Sequence, residues 1–265
     1  MTSPPSDEAR RVVRWPKGEA DEDRVVTEEP LEVRVEGASI AITMRTPGHD
    51  QDLALGFLYT EGVIDGADDI TAVAPVESAS KIPSNVINVR LASGVEAHAE
   101  ALERATRALY ATSSCGLCGK ASLDRIRVQA PPLTERLEVN PEMMVKLPGL
   151  LREAQQAFGA TGGLHAAALF DAEGKLEVVR EDVGRHNAVD KVLGWRLQQD
   201  AVPVADRILV VSSRAGFEIV HKARVAQISI VAALGAATTL AIDLASDGNQ
   251  TLIGWLSETR FTRYT

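Results

Sequence analysis

Cysteine is scarce in this chain: its 265 residues hold only two, Cys115 and Cys118. So small a set excludes a secreted scaffold held by disulfides. An excess of positive charge is lacking too. Twenty-eight Lys and Arg against 37 Asp and Glu give a formal net charge of −9. That balance argues against a general nucleic-acid or membrane-surface binder, because both need clustered cations. There is no long uninterrupted apolar run. The nearest, ISIVAALGAATTLAIDLA at 228–245, is broken by Gly235 and carries Asp243, and it lies between Arg224 and Asp247. It predicts a buried strand, a turn and a helix rather than a membrane span. The polar start, MTSPPSDEARRVVRWPKGEADEDR, has no apolar segment of the kind a signal peptide requires. Together these absences lead to the expectation of a cytoplasmic protein without a membrane or nucleic-acid partner.

The rest of the composition suits a protein with a sizeable core. Residues 1–24, rich in Pro, Ser and charge, are expected to form a disordered tail. Residues 25–108 read as a small α+β unit. It begins with a hairpin over 31–46 turning at Glu36-Gly37, followed by a helix over 49–64 and strands in DITAVAP and NVINVRLA. Residues 109–265 have an α/β rhythm. Asn140 and Pro141 suit the start of a helix over 140–158 that Pro148 breaks or kinks. After it, short apolar strands alternate with helices, which implies a sheet covered on both faces.

In such sheets ligands bind beyond the carboxyl ends of the strands. Four segments follow strands here: REDVGRHN, SSRAG, LGAAT and WLSETR. They supply Arg180, Arg185, His186, Arg214 and Arg260, with Gly184, Gly216 and Gly235 permitting close backbone approach. Arginines gathered there, with helices starting just after, suit a phosphate-bearing small molecule. The competing reading pairs them with Glu181, Asp182 and Glu258. Trp255 either stacks on a ring or packs in the core, the commoner outcome for a lone Trp at a strand end. His186 either acts as an acid or base or caps the following helix.

The thiols stand in ATSSCGLCGK, with a glycine after each. Three chemistries use such a pair. Dithiol–disulfide exchange places it after a strand and at a helix start, whereas the preceding ALERATRALYA reads as helical. Zinc needs further ligands, and His49, His98, His165, His186 and His221 show no paired spacing. A deaminase-type zinc site also needs a Glu two residues after its His; LHAAAL has Ala167 there. Sulfur transfer needs a thiolate on an exposed loop that reaches two partners in turn, and Gly116 and Gly119 supply that freedom.

The segments SSCGLCGK, TGGLHAAALF, REDVGRHNAVDKVLG, SSRAGFEIVHKA and TLIGWLSETRFTRYT, in this order, resemble the FdhD/NarQ-type formate dehydrogenase accessory sulfurtransferases. The resemblance runs from about residue 25 to the carboxyl terminus. It implies an α/β fold in which a cytidine-deaminase-like domain, without the zinc chemistry, follows the smaller α+β domain. It also implies a sulfur carrier that takes sulfur from a cysteine desulfurase and passes it to the bis-molybdopterin guanine dinucleotide form of the molybdenum cofactor, required by formate dehydrogenase. Cys115 takes the position of the persulfide carrier, and Cys118 that of the second, relaying cysteine. The cofactor-binding segment maps to Trp255, Leu256, Ser257, Glu258, Thr259 and Arg260, assisted by Arg214, Arg185 and His186. Family members often have a Lys-Pro-Gly-like stretch where this chain has Ser257-Glu258-Thr259, so the contacts expected there are from the backbone and Arg260. The alternative is a cofactor-binding chaperone that transfers no sulfur. A homodimer is compatible with either.

Overall fold

The computed structural model describes residues 6–76, 85–95 and 130–265. The alternating run after residue 28 folds as expected, into β3 (Glu29–Val35) and β4 (Ala38–Arg45). Glu36 and Gly37 both take positive φ, 50° and 82°, the turn that matches strand twist in a two-residue hairpin. The preceding hairpin departs from expectation. Residues 7–26, read mostly as disordered tail, form β1 (Asp7–Arg14) and β2 (Glu19–Val26), paired antiparallel along their whole length. Cross-strand ion pairs, Arg14 with Asp21 and Arg24 with Asp7, account for the charge. Gly18, at φ 70°, closes the turn.

Next come α1 (Asp50–Thr60), a short 3₁₀ turn, β5 (Ile70–Pro75) and β6 (Val86–Leu91). These strands complete a four-stranded sheet in the order β4-β3-β6-β5. Where one helix is expected at 140–158, three short ones form: α2 (Pro141–Met144), α3 (Leu147–Ala154) and α4 (Gln156–Thr161). The Asn140 side chain accepts hydrogen bonds from the Glu142 and Met143 amides, at 3.1 and 3.2 Å. Pro148 sits in the first turn of α3, where its missing N–H costs no bond.

The remaining chain runs through β7 (His165–Phe170), β8 (Leu176–Asp182), α5 (Arg185–Gln198), β9 (Ile208–Val211), α6 (Phe217–Val225), β10 (Ile230–Ala233), α7 (Thr239–Asp247), β11 (Thr251–Gly254) and β12 (Thr262–Arg263). The strands form a six-stranded mixed sheet in the order β12-β11-β10-β9-β7-β8, with β9, β10 and β11 parallel. The apolar run at 228–245 becomes β10, a turn and most of α7. Among the described residues no helix is long and apolar enough to cross a membrane.

The two larger sheets share one core. Leu31, Val33 and Val89 from the smaller sheet belong to the same buried cluster as Val189, Leu209 and Leu252. Helices α1 and α5 join them at a glycine crossing. A Cβ on Gly56 would lie 1.8 Å from the Asp190 carbonyl oxygen, and one on Gly194 would lie 1.8 Å from the Asp52 carbonyl oxygen. No side chain fits between the two backbones. Beside the crossing, buried Lys222 of α6 bonds Asp190 of α5 at 2.9 Å and the Thr60 hydroxyl of α1 at 2.9 Å, so three helices meet at one ammonium. Burial depresses this ammonium, but Asp190 and Glu61 reverse the effect and raise its pKa overall.

Gly194→Ala is expected to cost on the order of 3 kcal/mol, the upper end for overpacking, because backbone rather than a pliable side chain must move. Thermal unfolding should show a fall of roughly 6–12 °C. Lys222→Ala should cost about 3–5 kcal/mol by stranding Asp190, whereas Lys222→Met combined with Asp190→Leu should recover most of that loss. Denaturant titration of the three proteins checks both statements.

Candidate functional site at the strand ends

The parallel strands β9, β10 and β11 finish at the same edge of the sheet. Strand β7 is antiparallel to β9, with Ala167 opposite Val211, so His165 begins β7 at that edge. Asp182 at the end of β8 is opposite His165. The edge therefore gathers His165, the turn into α5, and the loops after β9, β10 and β11.

Backbone hydrogen bonds stitch these loops together. Ala215 N–H donates to the Ala236 carbonyl at 3.0 Å, Trp255 N–H to Gly235 at 2.9 Å, and Leu256 N–H to Ala233 at 3.0 Å. Gly235 is needed for the fit, since a Cβ there would stand 3.1 Å from backbone atoms of Arg214. Helices α5 and α6 begin at Gly184 and Gly216, and neither has a side-chain cap. Their first N–H groups are donors of the type that hold anions. Thr238 caps α7 through a longer bond from Ala241 N–H, 3.4 Å.

Asp182 organises the turn into α5. Its buried carboxylate accepts from Thr46 N–H (3.1 Å), Gly184 N–H (2.8 Å), Asn187 Nδ2 (2.9 Å) and Lys191 Nζ (2.7 Å). Lys191 further donates to the carbonyls of Thr46 and Glu181. Most polar residues of the EDVGRHNAVDK motif are therefore structural, which leaves Arg185 and His186 for the edge.

Of the expected arginines, Arg180 turns elsewhere. Its Nε donates to Asp52 of α1 at 2.7 Å, and it takes no part in the strand-end cluster. Glu181 accepts from the Ala157 and Phe158 amides at the start of α4, at 3.0 and 2.7 Å. Asp182 takes Lys191. Glu181 and Asp182 therefore do not pair with the arginines beside them in sequence. Among the described residues, Arg185, Arg214 and Arg260 form no ion pair, and Arg214 and Arg260 are exposed.

His186 Nε2 lies 2.7 Å from Glu218 Oε2. The hydrogen bond from His186 holds the Glu218 carboxyl below its ordinary pKa, although burial pushes the other way. Across the edge, burial and then the charge of Arg185 keep the His165 imidazole below its ordinary value. The sequence reading missed both Glu218 and His165 as members of this cluster. The available signal was Glu218 in the first turn of a helix that follows a strand-end loop.

The segment 255–260 divides. Trp255 is 57% exposed, so the core reading is corrected. It occupies the left-handed region at φ 54°, rare for a bulky residue and a form of strain found at functional sites. Leu256 is the reverse case: its side chain is buried in the second core cluster and cannot face a ligand. The next four residues close a turn, with Ser257 N–H donating to the Arg260 carbonyl at 2.9 Å, while Glu258, Thr259 and Arg260 are exposed. Cys115 and Cys118 lie outside the described residues. The His165-Ala166-Ala167 stretch lies on β7, and Ala167 is fully buried. Position 167 therefore offers no general base.

Comparison with known proteins gives the family. The chain is 49% identical over 261 residues to a sulfur carrier protein FdhD from Streptomyces avermitilis, covering 94% of this chain and 90% of the relative. It is 44% identical to one from Mycolicibacterium paratuberculosis, over 97% and 96% of the two chains. A relative of the same name from Sulfurisphaera tokodaii is 43% identical, over 92% and 91%. The crystal structure of a formate dehydrogenase accessory protein from Desulfotalea psychrophila shares the fold, with a TM-score of 0.75 at 23% identity over 98% of this chain and 97% of that one. The model of the FdhD/NarQ family matches residues 26–265, and the chain belongs to that family.

Proposed function

We propose that this protein is a sulfur carrier that loads the molybdenum cofactor of a formate dehydrogenase. The carrying observation is the strand-end cluster, where Arg185, Arg214 and Arg260 form no ion pairs among the described residues and two helices begin without side-chain caps. In a chain of net charge −9, such a cluster favours a phosphate-rich ligand. A bis-molybdopterin guanine dinucleotide fits that chemistry as substrate, with Trp255 offering an aromatic face for a base. The relatives' name, sulfur carrier protein, supports the second half of the reading. The arrangement of residues 109–265 is read as cytidine-deaminase-like, and the protein is read as cytoplasmic.

In the proposed cycle, the Cys115 thiolate attacks the outer sulfur of a cysteine desulfurase persulfide. That S–S bond breaks, the desulfurase thiolate leaves, and Cys115 keeps the sulfur as a persulfide. For delivery, the Cys118 thiolate attacks Cys115 Sγ. A Cys115–Cys118 disulfide forms and hydrosulfide departs towards the metal, its two electrons supplied by the dithiol. An external thiol then reduces the disulfide. The same arginines also favour a chaperone that binds the cofactor without transferring sulfur, and the cysteine variants separate the two.

Incubation with a desulfurase and sulfur-labelled cysteine should label wild type and leave Cys115→Ala unlabelled and unable to activate formate dehydrogenase. Activation by a variant lacking both cysteines would favour the chaperone. Calorimetry with GDP, a mimic of half the substrate, should show binding that Arg214→Ala weakens about 10-fold or more, the worth of one charge-assisted hydrogen bond. Trp255→Ala should weaken it by a similar factor through lost stacking, about 1–3 kcal/mol per base.

A further inference from the structure

A cavity of about 620 Å³ lies on the other side of Asp182 from the strand-end arginines, between the Thr46–His49 turn, strand β8, helix α4 and the start of β1. None of Arg185, His186, Arg214, Trp255 or Arg260 lines it. Its volume falls in the range of small-molecule sites. Its lining combines the polar residues Arg180, His49, Lys191 and Glu181 with the apolar Ala157, Ala160 and Leu164.

Most of the polar lining is already engaged. Lys191 gives hydrogen bonds to Asp182 and two carbonyls, which uses all three of its donors. Glu181 is held by the amides of α4, and Asp7 by Arg24. Arg180 differs. Its Nε is fixed on Asp52 and one Nη1 hydrogen on the Val179 carbonyl. Among the described residues nothing accepts from Nη2, although the side chain is only 13% exposed. Its outer fork is therefore held rigid and open at the cavity wall. Beside it His49 stands in the left-handed region, φ 57°, with its imidazole 57% exposed and Nδ1 3.6 Å from Asp52, beyond hydrogen-bond reach.

We propose that this cavity binds a small organic carboxylate, whose two oxygens take the outer fork of Arg180 and whose apolar body lies along Ala157, Ala160 and Leu164. A guanidinium fork matches a carboxylate in geometry as well as charge. A phosphate dianion fits less well, because one cation with free donors faces it and Asp52, Glu181 and Asp7 stand close by. An uncharged amphiphile would leave the fork unsatisfied. His49, also in the lining, adds a group able to donate or accept.

The test uses the full chain and hexanoate as probe, followed by calorimetry and ligand-observed NMR. Hexanoate is expected to bind saturably at one site. Hexanol, lacking the charge, and inorganic phosphate, lacking the apolar body, should each bind at least ~10-fold more weakly. Ala160→Leu, at an exposed position that leaves every Arg180 bond in place, should weaken hexanoate at least ~10-fold by filling the cavity. Arg180→Lys should do the same by removing the fork, with GDP binding at the strand ends serving as the check that each variant is folded. The proposal is overturned by absent saturable hexanoate binding, by phosphate or hexanol binding as tightly, or by an Ala160→Leu protein that keeps full affinity.

Discussion

The carboxylate of Asp182 is the acceptor on which three parts of the chain converge: the end of β8, the Thr46 turn after β4, and the first turn of α5. It carries one charge, buried beside one buried ammonium, and its oxygens are fully occupied. A buried ion pair is stable only when its remaining lone pairs and protons are satisfied. Here they are, through Gly184, Asn187 and Thr46 on one side and two carbonyls on the other. The direction in which Arg185 and His186 leave the sheet follows from this carboxylate, since both are set by the first turn that it anchors. Asp182 also separates the two recesses, for Thr46 and Lys191 line the cavity while Gly184 begins the strand-end helix.

The polar residues divide by burial. Lys191, Lys222, Asp190 and Asn187 lie inside and meet one another or the backbone. Arg185, Arg214 and Arg260 stand at the edge and form no ion pair within 4 Å among the described residues, although Arg185 lies near enough to Glu218 to favour its charged form and the chain has nine more acidic than basic charges. An acidic protein has ample carboxylate to neutralise three surface guanidiniums. Under the proposed function, three guanidiniums outside any ion pair, next to helix starts without side-chain caps, are what would draw an anion to this edge.

Much of the fold could be read from local pattern. The β3–β4 hairpin followed from alternation and Glu36-Gly37, and the later strands and helices from short apolar runs between turn residues. What escaped depends on pairings and orientations that composition does not show. The β1–β2 hairpin looks like a tail by composition, and only cross-strand pairing reveals that its charges complement each other. Arg180 stands in the sequence beside Glu181 and Asp182 yet bonds Asp52, 128 residues away. Trp255 and Leu256 are neighbours in one apolar run, and no periodicity shows that the first turns outward at a left-handed residue while the second enters the core. The strand-end cluster was legible as a set of arginines on loops, but His165 joined it through strand register and Glu218 through its place in the first turn of α6 opposite His186.

The glycine crossing of α1 and α5 has a consequence for how such a chain can diversify. With Gly56 and Gly194 in mutual backbone contact, neither helix can acquire a side chain at that point unless the other withdraws. A smaller sheet and α1 brought in from another chain would fit this α5 only if it too had no side chain at the crossing. The two halves are sterically matched at this point, even though the sequence reads as two modules.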